Sequence, residues 1–297
     1  MNNSGFIKNW LSAVRPKTLP AALAPVIIGF AIAYREEGHH FPSVFLAALV
    51  ALLIQAGTNM VNDYADFKKG ADTETRVGPV RVTQAGLITP GSMKAGMLVV
   101  LILIIIFSIP LILRGGVPIL IIGVLSIISG ILYTAGPFPL GYNGLGDIFV
   151  LIFFGPVATA GTYYVQTLEL SLNSVLAGLG PGLISVAILS INNLRDYEND
   201  KTAGKNTLVV IFGRGFGKAE YLVSVVIATF IPVIIFLARE RMNYSVMVYL
   251  LLILSIKPVK TVMKDGSGTV MNDILGITGR MLLVYALIFA IGWQYPI

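Results

Sequence analysis

The feature of this sequence that most limits its fold is a series of long apolar segments joined by polar ones. Nine of them approach or reach the roughly 17–25 residues that an α-helix needs to cross a bilayer. They lie at residues 18–34, 44–62, 97–113, 117–133, 148–165, 175–192, 222–237, 246–256 and 274–293. The eighth is the shortest and is expected to stop at Lys257 and Pro258. The chain is therefore predicted to be an all-α, polytopic membrane protein that forms one transmembrane domain over residues 1–297.

The composition supports a membrane protein and excludes several kinds of site. Hydrophobic residues make up 56% of the chain and charged residues only 12%, against about 25% charged residues in ordinary soluble domains. Because there is no cysteine, disulfides, thiol nucleophiles and thiolate metal sites are excluded. The net charge of +6 suits an anionic inner membrane leaflet, and no nucleic-acid-binding motif accompanies it.

Charged residues are distributed unequally between the two sides of the predicted bundle. With the N-terminus in the cytoplasm, sixteen of the 21 Lys and Arg residues fall on the cytoplasmic side, as the positive-inside rule requires. Eleven of the 15 carboxylates fall there too, which that rule does not explain. We therefore expect a multi-pass protein of the cell membrane with its active site on the cytoplasmic side and its C-terminus outside.

Two acidic clusters close two of the apolar segments. Each contains an Asn and an Asp four residues apart, Asn62 with Asp66 and Asn192 with Asp196, and Asp200 follows one further step on. This spacing places oxygen ligands on one face of a helix, and oxygen ligands without nearby His or Cys suit Mg²⁺ shared with substrate phosphates. The clusters thus predict a magnesium site in which Asp66, Asp196 and Asp200 are catalytic. The simpler alternative is that these residues only solvate helix ends.

Residues around the clusters complete the predicted site. Asp72 follows the first cluster in a loop and is expected to be a further metal ligand, whereas Asp63 either supports the ligands or is solvated. A diphosphate held by the metal would also need cations to neutralise its charge. A carbocation formed when the diphosphate leaves would be stabilised by an aromatic side chain. The residues predicted to bind the substrates are Arg15, Arg76, Arg81, Tyr133, Lys201 and Lys205.

The two clusters also occupy matching places in the chain. Each ends a long apolar segment, each precedes a long polar connection, and the segments are the second and the sixth of the series. This indicates a weak internal repeat, so the clusters are expected to face each other across one cavity. Intramembrane carboxylates also occur in cation-coupled transporters, which stay open as an alternative function.

Seven short motifs give the sequence a family resemblance that covers nearly the whole chain. They are RPKT at 15–18, NDYAD at 62–66, KGAD at 69–72, GPVR at 78–81, YTAGP at 133–137, NNLRD at 192–196 and KNTL at 205–208. In these motifs the chain resembles the UbiA superfamily of intramembrane prenyltransferases, and specifically the menaquinone branch. The superfamily pattern has an Asp where this chain has Gly70, and the later Asp72 is similar to that branch.

The resemblance implies a fold and a reaction that the residues alone do not reach. It implies nine helices around a central cavity, two Asp-rich motifs that hold magnesium and diphosphate, and a lateral opening for an isoprenoid tail. The implied reaction transfers a polyprenyl group from its diphosphate to 1,4-dihydroxy-2-naphthoate, with decarboxylation, to give demethylmenaquinone. The alternative acceptors are 4-hydroxybenzoate, homogentisate or a glycerol-phosphate lipid.

Overall fold

The protein is a bundle of long α-helices. The computed structural model describes residues 3–70, 78–239, 243–264 and 268–296, and across those ranges no β-strand forms. The helices are α1 (Asn3–Val14), α2 (Pro20–Arg35), α3 (Phe41–Lys69), α4 (Pro90–Leu132), α5 (Gly146–Ile152), α6 (Ala158–Thr167), α7 (Leu172–Thr202), α8 (Leu208–Phe212), α9 (Arg214–Arg239), α10 (Leu251–Lys264) and α11 (Val270–Trp293).

The described helices confirm the predicted all-α membrane architecture. Seven helical stretches are long and apolar enough to cross a bilayer, and an eighth is added if α1 and α2, which meet at a bend of 52°, count as one span. Among the described residues α4 counts as one stretch but covers two of the predicted segments. With both counted, the helices correspond to the nine predicted segments.

Helix α4 folds back on itself at Gly116. Its 43 residues would extend about 64 Å if straight, roughly twice the thickness of the hydrocarbon core. Gly116 has φ 65° and ψ −151°, which breaks the helix. On either side of the break, Val100 packs against Gly57 and Gly130 packs against Thr58. Both arms therefore lie beside the same part of α3 and correspond to the predicted segments 97–113 and 117–133.

Helix α7 is the central helix of the bundle. In the most apolar 18-residue stretch of α7, 72% of the residues are buried, because α2, α9 and α11 surround the helix. The large aromatic side chains of this core, Tyr221, Tyr285 and Phe289, are fully buried. Helix α3 packs mainly against α4 and forms the other side of the molecule.

A wide helical turn connects α5 to α6 and touches α7 closely. Residues Phe153–Val157 form a π-helical segment in which Gly155 has φ −122° and ψ −111°. Gly178 and Gly182 of α7 face this segment, and a Cβ atom at Gly178 would lie 2.7 Å from the backbone of Pro156. The two backbones can approach this closely only because α7 carries small residues at four-residue spacing.

The predicted helices differ from the structure in two places, one helix end and one missing helix. The eighth segment does not stop at Pro258, since a 3₁₀ turn at Tyr244–Leu250 leads into α10, which continues to Lys264. A proline inside a helix removes the backbone hydrogen bond to the carbonyl four residues earlier. In a membrane helix, neighbouring helices and side chains can satisfy the freed carbonyl, so the helix continues. The sequence reading also missed α1, which precedes the first long apolar segment.

Candidate active site

A stripe of polar side chains runs along one face of α3 toward its C-terminal end. Gln55, Asn59, Asn62 and Asp66 follow one another at intervals of four, three and four residues, which is the repeat of a single helix face. Helix α3 ends at Gly70, whose φ of 64° lies in the left-handed region that favours glycine. Asn62 and Asp66 thus lie within the helix, as their spacing predicts.

One cavity, of about 260 Å³, collects residues from both acidic clusters. Its wall includes six of the residues predicted for the site, which are Arg15, Asn62, Arg81, Tyr133, Asn192 and Lys205. Serine, threonine and amide side chains line the rest of the polar part, and Phe149, Phe153 and Phe154 line an aromatic part. The structure therefore brings the ends of α3 and α7 to a common space.

Asp66 of the first cluster is buried between a cation and a phenol. Arg81 donates to its Oδ2 at 2.8 Å, and both side chains are less than 10% exposed. Tyr142 donates to its Oδ1, also at 2.8 Å. A carboxylate held at both oxygens by charged or polar donors keeps a fixed orientation.

The second cluster is held in a similar way by Arg195. Its guanidinium donates to both oxygens of Asp196, at 2.8 and 2.6 Å, and to Asn192 at 2.6 Å. A further bond of 3.0 Å reaches Asn272 of α11. Asp200, one helical turn beyond, forms an ion pair of 3.5 Å with Lys205. Arg195 lies inside the NNLRD motif, yet the sequence reading assigned it no role.

Tyr142 connects the two clusters, and the sequence reading missed it. Besides binding Asp66, its ring lies 4.1 Å from Lys69 Nζ and 5.5 Å from Lys205 Nζ, within cation–π range. The amide of Asn206 donates to the Tyr142 carbonyl at 3.0 Å. Tyr142 lies in a Gly- and Pro-rich connection without periodicity, so no pattern in the sequence singled it out.

Tyr133 lies in the cavity wall between the two clusters. Its phenol hydroxyl can donate a hydrogen bond as well as accept one. Its ring is available to the cavity as an aromatic surface.

Four of the predicted site residues that the structure describes are not among the cavity-lining side chains. Asp66, Asp196 and Asp200 are buried in the ion pairs given above. Lys201 is on the last turn of α7, and its side chain is exposed. Asp72 and Arg76 lie outside the described residues. The predicted roles of all these residues stay predictions.

The donor set suits a hard divalent cation. Within the described ranges no three His, Cys, Asp or Glu residues cluster as a metal site. The amide oxygens of the site are therefore considered beside its carboxylates. Asn62 supplies such an oxygen, because its Oδ1 is buried, has no hydrogen-bond partner and belongs to a cavity-lining side chain. The carboxylates of Asp66 and Asp196 accept bonds from protein donors, but each oxygen carries a second lone pair.

A second cavity, of about 280 Å³, continues the first one into the apolar part of the bundle. Ala51, Ile54, Ser126, Phe153 and Ala158 line both cavities. The remaining wall of the second cavity is almost entirely aliphatic and comes mainly from α3, both arms of α4 and α6. A charged end and an apolar extension thus form one continuous space.

A profile of the UbiA prenyltransferase family matches residues 22–269. The chain belongs to the UbiA prenyltransferase family. This confirms the resemblance that the short motifs indicated, and it makes the protein a prenyltransferase.

Relatives in this prenyltransferase family resemble the chain over most of its length. It is 38% identical to the 1,4-dihydroxy-2-naphthoate octaprenyltransferase of Escherichia coli (strain K12), with 95% of this chain and 94% of the relative covered. It is 33% identical to the enzyme of the same name from Mycobacterium tuberculosis, with 95% of each covered. A solved UbiA homologue from Archaeoglobus fulgidus bound to GPP and Mg²⁺ has the same fold, with a TM-score of 0.66, 18% identity and coverage of 95% and 99%.

Asp63 does not line the cavity but holds a segment next to it in place. It is only 2% exposed, and its two oxygens accept hydrogen bonds from the amides of Val82 and Thr83 at 3.1 and 3.0 Å. These amides immediately follow Arg81, the partner of Asp66. Asp63 therefore fixes the segment that presents Arg81 to the first cluster.

Replacing Asp63 by Ala is expected to loosen that segment. Two buried amides lose their acceptor, which should cost about 1–3 kcal/mol of folding free energy, and the KM for prenyl diphosphate should rise as Arg81 loses its position. Thermal unfolding and steady-state kinetics of the purified variant measure both effects. Asp273→Ala, which removes an exposed carboxylate from α11, is the control. Unchanged stability and KM in Asp63→Ala would contradict this role.

Proposed function

We propose that the protein transfers a polyprenyl group from polyprenyl diphosphate to 1,4-dihydroxy-2-naphthoate, with loss of the ring carboxylate as carbon dioxide. The observation that carries the reaction type is the continuous space with a charged end and an apolar extension. Such a space matches a substrate that has a diphosphate at one end and a hydrocarbon chain at the other. The acceptor is proposed because full-length relatives carry that enzyme's name.

The charged end is suited to a diphosphate leaving group. We propose Mg²⁺ as the cofactor, held by Asn62, Asp66, Asp72, Asn192, Asp196 and Asp200. When bound, it would neutralise charge that develops on the departing diphosphate. The side chains of Arg81 and Lys205 line the same cavity and supply positive charge to the phosphate oxygens.

The rest of the cavity is suited to the allylic cation and the ring. As the carbon–oxygen bond to diphosphate breaks, Tyr133 and the phenylalanine side chains of the wall offer aromatic faces to the positive charge. The low water content of an apolar cavity protects that cation from hydrolysis. A ring carbon then forms the new bond, and the electron pair of the lost carboxylate restores aromaticity. No side-chain nucleophile is needed.

We further propose that the reaction takes place at the cytoplasmic side of the cell membrane, with the C-terminus outside. The Lys and Arg residues are concentrated on the side of the bundle where α3 and α7 end, and the positive-inside rule assigns that side to the cytoplasm. A water-soluble diphosphate released there would return directly to the cytoplasm.

Turnover of the purified protein tests the proposal. With 1,4-dihydroxy-2-naphthoate, a polyprenyl diphosphate and Mg²⁺, we expect carbon dioxide release and a prenylated quinol, detected by mass as demethylmenaquinone after oxidation. Omission of Mg²⁺ with a chelator should abolish the product. Parallel reactions with 4-hydroxybenzoate, homogentisate and a glycerol-phosphate lipid test the acceptor, and faster prenylation of any of these would overturn the naphthoate assignment.

A further inference from the structure

Gln55 presents a buried, unsatisfied carbonyl oxygen to the cavity. The residue is 8% exposed and belongs to the cavity wall, at the far end of the polar face that continues through Asn59 and Asn62. Its Nε2 donates to Thr18 Oγ1 at 3.2 Å, whereas its Oε1 has no hydrogen-bond partner. Buried polar atoms are nearly always paired, so this oxygen points to a donor supplied by whatever fills the cavity.

The hydrogen bonds around Thr18 fix the orientation of the Gln55 amide. Thr18 donates its single hydroxyl hydrogen to the Arg15 carbonyl at 3.0 Å, so its oxygen can only accept further bonds. It accepts one from Asn59 Nδ2 at 3.0 Å and one from Gln55. Gln55 must therefore turn its nitrogen toward Thr18 and its oxygen away, because the flipped amide would place two acceptors together.

The chemistry of the proposed substrates selects the donor. A polyprenyl diphosphate has only acceptor oxygens at its charged end and no polar hydrogen along its tail. A ring carboxylate also only accepts. The ring hydroxyls of the aromatic acceptor are the remaining donors among the substrates, and water is the competing occupant.

We propose that Gln55 binds the aromatic acceptor by accepting a hydrogen bond from one of its ring hydroxyls. The inference rests on the proposed function and adds a residue that selects acceptors by their hydroxyl pattern. Gln55 lies two helical turns, about 10 Å, from Asn62 along α3, so a ring bound there lies deeper than the diphosphate. A neutral carbonyl that accepts the hydroxyl hydrogen also increases the electron density of the ring. This favours attack on the allylic cation.

Acceptor analogues that lack one hydroxyl provide the test. For the wild-type protein, 1-hydroxy-2-naphthoate and 4-hydroxy-2-naphthoate should differ in binding, and the analogue without the bound hydroxyl should bind about tenfold more weakly than its isomer. In Gln55→Leu this difference should disappear, with the acceptor KM raised about tenfold and the prenyl diphosphate KM within twofold of wild type. Gln55→Met serves as a second variant of similar shape.

Gln84→Leu is the matched control, because Gln84 is an exposed glutamine in another segment. It should keep the wild-type difference between the analogues. Equal binding of both analogues by wild-type protein, or an unchanged difference in Gln55→Leu, would overturn the inference and indicate that water satisfies the oxygen. Absence of any naphthoate prenylation by wild-type protein would instead overturn the proposed function.

Discussion

Asp66→Asn and Asp196→Asn should each lower kcat by about 100-fold to 1000-fold, the scale of losing one electrostatic contact to a transition state. Each substitution keeps the side-chain size and removes one negative charge from a buried network. In the first, Arg81 loses its charged partner. In the second, Arg195 loses a carboxylate that it holds through two bonds. The Mg²⁺ concentration needed for half-maximal turnover should rise in both variants.

The measurement is kcat of purified variants over a range of Mg²⁺ concentrations, together with thermal unfolding to separate catalysis from folding. Glu198→Gln is the matched control, because Glu198 lies on α7 two residues after Asp196 but forms only a surface ion pair with Arg214. Exposed pairs contribute little, and its turnover should stay within about twofold of wild type. Near wild-type turnover in either aspartate variant would contradict the proposed metal site.

Gly178→Ala should prevent stable folding, or at least lower the unfolding midpoint strongly. The new Cβ atom would lie 2.7 Å from backbone atoms of Pro156 and 2.8 Å from the carbonyl carbon of Gly155. Backbone cannot rotate away as a side chain can, so the π-helical segment and α7 must separate. Extra atoms in a well-packed core lower the free energy of unfolding by about 1–3 kcal/mol, and by more where the neighbouring atoms cannot move. Size-exclusion profiles in detergent and thermal unfolding measure the effect.

Gly215→Ala is the control for that prediction, since it makes the same change on a helix where a Cβ would meet nothing within 4 Å. It should fold normally and gain stability, because alanine is favoured over glycine in a helix by about 0.5–1 kcal/mol. If Gly178→Ala were as stable as Gly215→Ala, the close contact between α7 and Phe153–Val157 would be wrong.

The sequence was sufficient for the parts of the fold that follow from hydrophobicity. Long apolar segments predict helices whatever their neighbours are, and the segments ending at Leu113 and resuming at Val117 correctly located the reversal in α4 at Gly116. The end of α10 was wrong, because a proline signals a helix end in water more reliably than in a bilayer. Helix α1 was missed because it lies outside any membrane-length apolar segment.

The candidate site was predictable where a charge pattern marked it. The spacing of Asn62 and Asp66 and the nearby cations indicated residues that the structure brings together, with Asn62 and Arg81 in the cavity wall and Asp66 bound to Arg81. Tyr142 was not predictable, because its position depends on how a loop folds across the bundle. Gln55 did carry a signal, since an amide in a predicted membrane span, seven residues before Asn62, continues the polar face of α3. The sequence analysis assigned it no role.

The continuity of the two cavities has a consequence for the direction of the reaction. In the proposed reaction, the polyprenyl diphosphate has its diphosphate at the charged end and its tail toward the apolar cavity, which shares Ile54 and Phe153 with the first cavity. Afterwards the diphosphate dissolves in water, while the prenylated ring has no charge to hold it and dissolves in lipid. The reverse reaction would require the prenylated ring, diphosphate and carbon dioxide to return from separate phases and meet in one small space. Partitioning of the products therefore drives synthesis forward.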